Sequence, residues 1–190
     1  MTMFQFSPRY DAALALAAKA HNKQLRKGSD TPYIAHVVHV SVLLIRHGFS
    51  EDLAIAGLLH DAVEDSDLAP EELVATFGAE VARLVVAVSE RKLADGVPRP
   101  WEERKAEKMA LLRAGGPDVA ALKAADALHN VRSTVADLRR EGPGVWGRFR
   151  ASPQQTMGYY RAILVAVQAQ LDHPIVAELA AAVAELEALA

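Results

Sequence analysis

Apolar residues recur at three- and four-residue spacing through nearly the whole chain, in stretches separated by Gly, Pro and short polar turns. That period belongs to helices that bury one face, and it leaves little room for a sheet. Pro8 opens a first helix whose apolar positions include Leu14, Leu16, Ala17 and Ala20, ahead of a polar loop over 27–32. A second helix is predicted over 33–47 and stops at Gly48, a suitable C-cap. Ser50 followed by Glu51 and Asp52 begins a third, because a capping hydroxyl and early acids suit a helix N-terminus. Pro70-Glu71-Glu72 begins a short helix that Gly78 ends. The valines of 81–88 invite a strand reading, but their Ala-rich flanks and the lack of a partner strand favour helix. Residues 95–100 read as a loop, 101–112 as a charged helix, and Gly115-Gly116-Pro117 as a break. Pro117 then takes a favoured first position in the helix that carries Asp126. Gly142-Pro143-Gly144 ends that helix, and two more follow over 153–171 and 175–189. The expectation is an all-α fold, a single compact multi-helix domain over residues 1–190, without repeats or linkers.

Composition narrows the chemistry. A net charge of −3 argues against nucleic-acid binding, which needs a basic surface to neutralise phosphates, but permits a small anionic ligand held by a local cationic cluster. With no cysteine there is no disulfide, no thiolate ligand and no thiol nucleophile, so any metal must be held by His, Asp or Glu. The first residues lack a basic region followed by an apolar run, and no C-terminal stretch reaches transmembrane length. A cytoplasmic protein with no membrane partner is the expectation; oligomeric state is left open.

Leu58-Leu59-His60-Asp61-Ala62-Val63-Glu64-Asp65 is the most informative stretch. A His-Asp pair in the middle of an apolar helix needs a reason, since an unpaired buried charge is costly. Helical spacing sets Asp61, Glu64 and Asp65 on one face, where three carboxylates repel one another unless a cation lies among them. Alone the dipeptide marks little. Upstream, however, Pro32-Tyr33-Ile34-Ala35-His36 puts a His at the start of another apolar helix, and downstream Asp126 sits in an Ala-rich helix. His36, His60, Asp61 and Asp126 together form a mixed N/O donor set suited to Mn, Fe, Co or Zn. Helices that each bring ligands to one point are a normal way to build such a site.

Those segments, with Arg26-Lys27-Gly28 and Ala125-Asp126-Ala127-Leu128-His129-Asn130, resemble the HD-domain metal-dependent phosphohydrolases. More narrowly, the chain is similar to the hydrolase domain of the RelA/SpoT alarmone enzymes and their free-standing, MESH-like relatives. The resemblance runs from Ala17 to the Tyr159-Tyr160 helix and leaves no room for a synthetase domain. It implies one divalent ion, usually Mn²⁺, on His36, His60, Asp61 and Asp126, and removal of the 3′ pyrophosphate from ppGpp or pppGpp to give GDP or GTP. It implies a catalytic role for Glu64 and Asp65 toward the nucleophilic water and the reacting pyrophosphate. Arg26 and Lys27 match nucleotide-contacting positions, with the Arg stacking on the base, and Asn130 a position near the sugar. Lys92, Lys123, Arg148 and Tyr159 are further candidates for substrate contacts. The physical logic agrees: a divalent ion lowers the pKa of its water, and Glu64 could orient that water or take its proton.

The chain departs from the family at Ala127, where many members have a basic residue after the metal-binding Asp, and at Ser89-Glu90-Arg91-Lys92. His39 and His129 read as satisfied or partly exposed histidines, and His21, His47 and His173 as surface or helix-end residues. Glu102-Glu103-Arg104-Lys105 reads as a solvated face whose charges pair at i,i+3, Glu102 with Lys105 and Arg104 with Glu107. Two other functions compete with alarmone hydrolysis: an HD-type nucleotidase acting on another nucleotide such as NADPH, and a non-catalytic nucleotide-sensing HD module. The sensing module would have lost a ligand or the Glu-Asp pair, and neither is lost.

Overall fold

The computed structural model describes residues 7–65, 68–90, 93–94 and 97–189, the side chains of 65, 93 and 94 excepted. It is helical almost throughout, and no helix among the described residues is long and apolar enough to cross a membrane. In chain order the helices are α1 (Pro8–Ala20), α2 (Ile34–Arg46), α3 (Glu51–Leu59), α4 (Ala62–Asp65), α5 (Pro70–Phe77) and α6 (Ala79–Val88). There follow α7 (Trp101–Ala114), α8 (Gly116–Glu141), a 3₁₀ turn (Pro143–Arg148), α9 (Pro153–Gln168) and α10 (Pro174–Leu189).

Local signals account for most of the boundaries. Ser7 and Ser50 accept hydrogen bonds from the amides of Tyr10 (3.2 Å) and Leu53 (3.3 Å). Ser152 and Gln155 close a reciprocal capping box at the start of α9. Gly142 ends α8 at a φ of +74°, a conformation that favours glycine. Two expectations are corrected. Val97–Pro98 pairs antiparallel with Leu93–Ala94, so part of the 95–100 loop is a small hairpin strand; residues 95–96 lie outside the described ones. And His60-Asp61 is not in the middle of a helix: α3 ends at Leu59, and the pair forms the turn into α4.

The core explains where a site can be built. Every residue from Leu53 to Leu59 on α3 is buried, and so is every residue from Val119 to Ala125 on α8. Helices apolar all round belong at the centre, and α8 packs against α2, α3, α6, α7, α9 and α10. Burying a Leu or Val side chain is worth about 1.5–3 kcal/mol, and the buried cluster is continuous from Tyr10 to Leu186. At the α2–α3 crossing Gly57 has no side chain to spare. A Cβ there would stand 2.9 Å from Leu44 Cδ1 and 3.0 Å from the Ser41 Cα. Ser41, fully buried, donates to the Ala54 carbonyl (2.8 Å), which leaves its oxygen to accept from Tyr10 Oη (2.9 Å). This crossing sets the spacing between the helices that present His36 and His60.

Candidate metal centre

His36 lies in the first turn of α2, His60 and Asp61 at the C-terminal end of α3, and Asp126 in the middle of α8. The four side chains converge. His36 Nε2 stands 3.6 Å from Asp61 Oδ2 and 3.4 Å from Asp126 Oδ1. His60 Nε2 stands 3.1 Å and 3.8 Å from the same two oxygens. His36, His60 and Asp126 each offer a ligand atom within 4.8 Å of the others. Both imidazoles are buried, at 1% and 2% exposure.

The donor set fits a divalent ion. The Nε2 atoms of His36 and His60 are buried without a hydrogen-bond partner, although both face the carboxylates. A buried polar atom left unpaired is costly, and a divalent cation that displaced the proton the carboxylates hold on His60 would meet two imidazole lone pairs and two carboxylates. His60 Nδ1 donates to the Gly57 carbonyl at 2.9 Å, so its Nε2 is the free nitrogen. Asp61 Oδ2 accepts from Tyr33 Oη at 2.7 Å, and Asp126 Oδ1 accepts from Asn130 Nδ2 at 2.5 Å. Such outer contacts hold ligands in orientation.

Electrostatics follow from the crowding. Burial alone disfavours the charged form of His60, but Asp61 and Asp126 outweigh it and raise its pKa to about 9. Burial, aided by the nearby His60, holds His36 below the ordinary histidine value despite the carboxylates. Burial pushes Asp61 upward, yet His60 and then His36 bring it well below the usual carboxylate range. Asp126 moves the same way, driven against burial by Lys123 and both imidazoles. Lys123, 8% exposed, donates to Asp126 Oδ2 at 2.7 Å, and that carboxylate keeps it charged in spite of burial.

The remaining predicted positions are distributed around this cluster. Glu64, in α4, accepts from the Glu90 amide (3.0 Å) and from Lys108 Nζ (3.3 Å). Asp65 ends α4, with its side chain outside the described residues, and Lys92 lies outside them entirely. Arg26 Nη2 donates to Asn130 Oδ1 at 3.0 Å, so Arg26, Asn130 and Asp126 form one hydrogen-bonded series. Its guanidinium also lies over the Tyr33 ring, 5.8 Å from the centroid. A bridge between Leu25 and Pro32 holds this loop at the mouth of α2, with Gly28 at a φ of +69° and Lys27 exposed beside it. Tyr159 packs near the ammonium groups of Lys105 (5.1 Å) and Lys123 (5.9 Å). Arg148 is not brought to the cluster; it lies against Gly28 and pairs with Asp137 and Glu141.

Several surrounding residues were not anticipated. The face 102–105 of α7 is not laced by i,i+3 pairs. Arg104 and Lys105 (2.6 Å) instead clamp the buried Glu90, and Arg99 takes Glu107. Lys108, one turn on, spans Glu64 and Glu90 (3.6 Å). The partner acid arrives from the end of α6, beyond the reach of any helical period. Tyr33 and Lys108 have no sequence signal except their nearness to chemistry-bearing residues. His21 ends α1 but is buried, at 3% exposure, with Nδ1 2.7 Å from Gln24 Oε1. His47 ends α2, 3.3 Å from Glu178, and the His173 ring meets it edge-on.

Comparison with known proteins follows the same lines. The sequence model described as "HD domain" matches residues 13–157. The mouse guanosine-3′,5′-bis(diphosphate) 3′-pyrophosphohydrolase MESH1 is 36% identical over 141 residues, covering 73% of this chain and 74% of its own. A GTP pyrophosphokinase of Myxococcus xanthus is 36% identical over 141 residues, of which the match spans 70% of this chain but 18% of that longer enzyme. Among solved structures, one described as a metazoan ortholog of SpoT that hydrolyzes ppGpp aligns with a TM-score of 0.77, at 27% identity over 94% of this chain and 96% of its own.

Proposed function

This chain belongs to the HD domain family, and from that premise we propose that it is a guanosine-3′,5′-bis(diphosphate) 3′-pyrophosphohydrolase. It cleaves the 3′ pyrophosphate from ppGpp or pppGpp and leaves GDP or GTP. The observation that carries the reading is the meeting of two unpartnered buried imidazole nitrogens with two carboxylates, beside Glu64 on one side and Arg26-Asn130 on the other. We read residues 1–190 as one HD-type hydrolase domain in the cytoplasm; the continuous core from α1 to α10 supports a single unit.

His36, His60, Asp61 and Asp126 would hold the divalent ion, and Mn²⁺ suits their mix of imidazole and carboxylate donors. A bound ion supplies Lewis-acid polarisation of a phosphoryl oxygen and lowers the pKa of a coordinated water. The protein's own groups do the rest. Glu64 orients the attacking water and accepts its proton, while the Glu90 amide and Lys108 hold that carboxylate in place. Asp65, at the end of the same short helix, shares the task. Buried Lys123 and half-buried Lys108 bring two ammonium groups to the acids of the site, so negative charge gathering on a departing pyrophosphate meets fixed cations. Arg26 offers a planar guanidinium for the base, steadied by Asn130. Lys27, Lys92 and Tyr159 complete the proposed substrate contacts, while Arg148, paired with Asp137 and Glu141 away from the cluster, is not included.

A second reading, hydrolysis of another nucleotide such as NADPH, draws on one feature. A cleft of about 440 Å³ between α7 and α9 is lined by Trp101, Lys105, Met109, Arg113, Gln155 and Tyr159, aromatic and cationic groups able to take a further base or phosphate. A substrate panel with purified protein and Mn²⁺ separates the two. We expect ppGpp and pppGpp to be turned over in preference to NADPH; hydrolysis of NADPH with ppGpp untouched would overturn the first reading.

A further inference from the structure

His36 and His60 differ in what holds their second nitrogen. Gly57 offers His60 a carbonyl, which can only accept, so the proton of His60 Nδ1 is assigned. His36 Nδ1 instead meets another imidazole nitrogen, His129 Nδ1, at 2.8 Å. His129 Nε2 in turn meets His39 Nδ1 at 2.8 Å. The rings are close, with centroids 4.8 Å and 4.9 Å apart. His36 and His39 stand one turn apart on α2, and His129 reaches between them from α8. The series starts at a fully buried ring and ends at His39, which is exposed.

A neutral imidazole has one N–H and one lone pair, so each link needs a donor facing an acceptor. Two polarities satisfy all three rings. In one, every proton lies on the nitrogen nearer the surface: His36 Nδ1 donates to His129 Nδ1, and His129 Nε2 donates to His39 Nδ1. In the other, both links are reversed and His36 carries its proton on Nε2. A ligand bond from His36 Nε2 uses that lone pair and forbids the second polarity.

We propose that His129 and His39 are positioning residues for the metal centre, forming a directional chain of imidazoles that presents His36 Nε2 to the ion and whose polarity is set by metal binding. The inference rests on the metal reading given above. It gives His129 a function that its burial alone does not require, and makes exposed His39 a reporter of what is bound beyond the helix.

The first test is the nitrogen spectrum of the wild-type protein loaded with Zn²⁺, a diamagnetic probe. We expect His129 and His39 both to carry the proton on Nε2, with Nδ1 as acceptor. A proton on Nδ1 of either ring in the loaded protein would overturn the proposal. The second is calorimetric titration with Mn²⁺ alone. His129→Leu should weaken binding by about 10–100-fold, as loss of a ligand's outer partner does, and His129→Gln, which can accept and donate at the same places, should recover most of it. Equal affinity of wild type and His129→Leu would also overturn it. If the Leu variant does not fold, the wild-type spectrum decides. Failure of the wild type to bind any divalent ion would instead sink the metal reading itself.

Discussion

Metal binding should release one proton, and the ligand that loses it should be His60. Among the four proposed ligands, Asp61 and Asp126 are ionised far below neutrality, and His36 is held neutral by burial. Only His60, at about 9, is protonated at pH 7 in the metal-free protein. A ring must be neutral to ligate, so binding and protonation compete. Apparent affinity should therefore rise about tenfold, or about 1.4 kcal/mol, for each pH unit up to about 9. The same shift affects the metal-free fold. The pKa of His60 is raised above the ordinary value, so the stabilisation of about 3 kcal/mol is present below about pH 6.5 and is lost as pH rises through 9. The assay is calorimetric titration of metal-depleted protein with Mn²⁺ at pH 7, in buffers of different ionisation enthalpy. The slope should give one proton per ion. A slope near zero, with affinity flat from pH 6.5 to 8.5, would refute the account of His60; a slope near two would refute that of His36.

Glu64→Gln keeps an acceptor for the Glu90 amide but no proton acceptor for water. Turnover should fall by about 10²–10⁴-fold with the melting temperature nearly unchanged; wild-type turnover would remove Glu64 from the chemistry. Gly57→Ala forces a Cβ against the backbone of Ser41. We expect a net loss of about 1–2 kcal/mol in urea unfolding, after the better helix propensity of Ala, and weaker metal binding as α2 and α3 separate. Ser41→Ala removes the hydroxyl that bonds both Tyr10 Oη and the Ala54 carbonyl and should cost about 0.5–1.5 kcal/mol in the same assay, with metal affinity kept.

The architecture was readable because helical periodicity, caps and glycine stops are local. Ser50, Pro70, Gly78, Pro117 and Gly142 each mark a boundary from within a few residues. The same reasoning drew attention to His36, His60 and Asp126, since each is a polar residue in an apolar helix. What it missed is not local. Nothing in Leu59-His60-Asp61-Ala62 breaks a helix, yet the chain turns there, and Asp61 Oδ2 receives Tyr33 from the turn that precedes α2. The charges of α7 offered plausible partners on their own helix, and Glu90 displaced those partners because a buried carboxylate needs cations more than an exposed one does. His129 resembled a satisfied histidine, and it is satisfied, but by two imidazoles whose alignment no spacing on α8 could disclose.

The most direct test of the central claim is the product of ppGpp labelled in its 3′ pyrophosphate, incubated with metal-depleted protein before and after Mn²⁺ is restored. The account predicts no reaction without the ion, and after its return labelled pyrophosphate released intact with GDP. Labelled orthophosphate, or turnover at full rate in the metal-depleted protein, would contradict it.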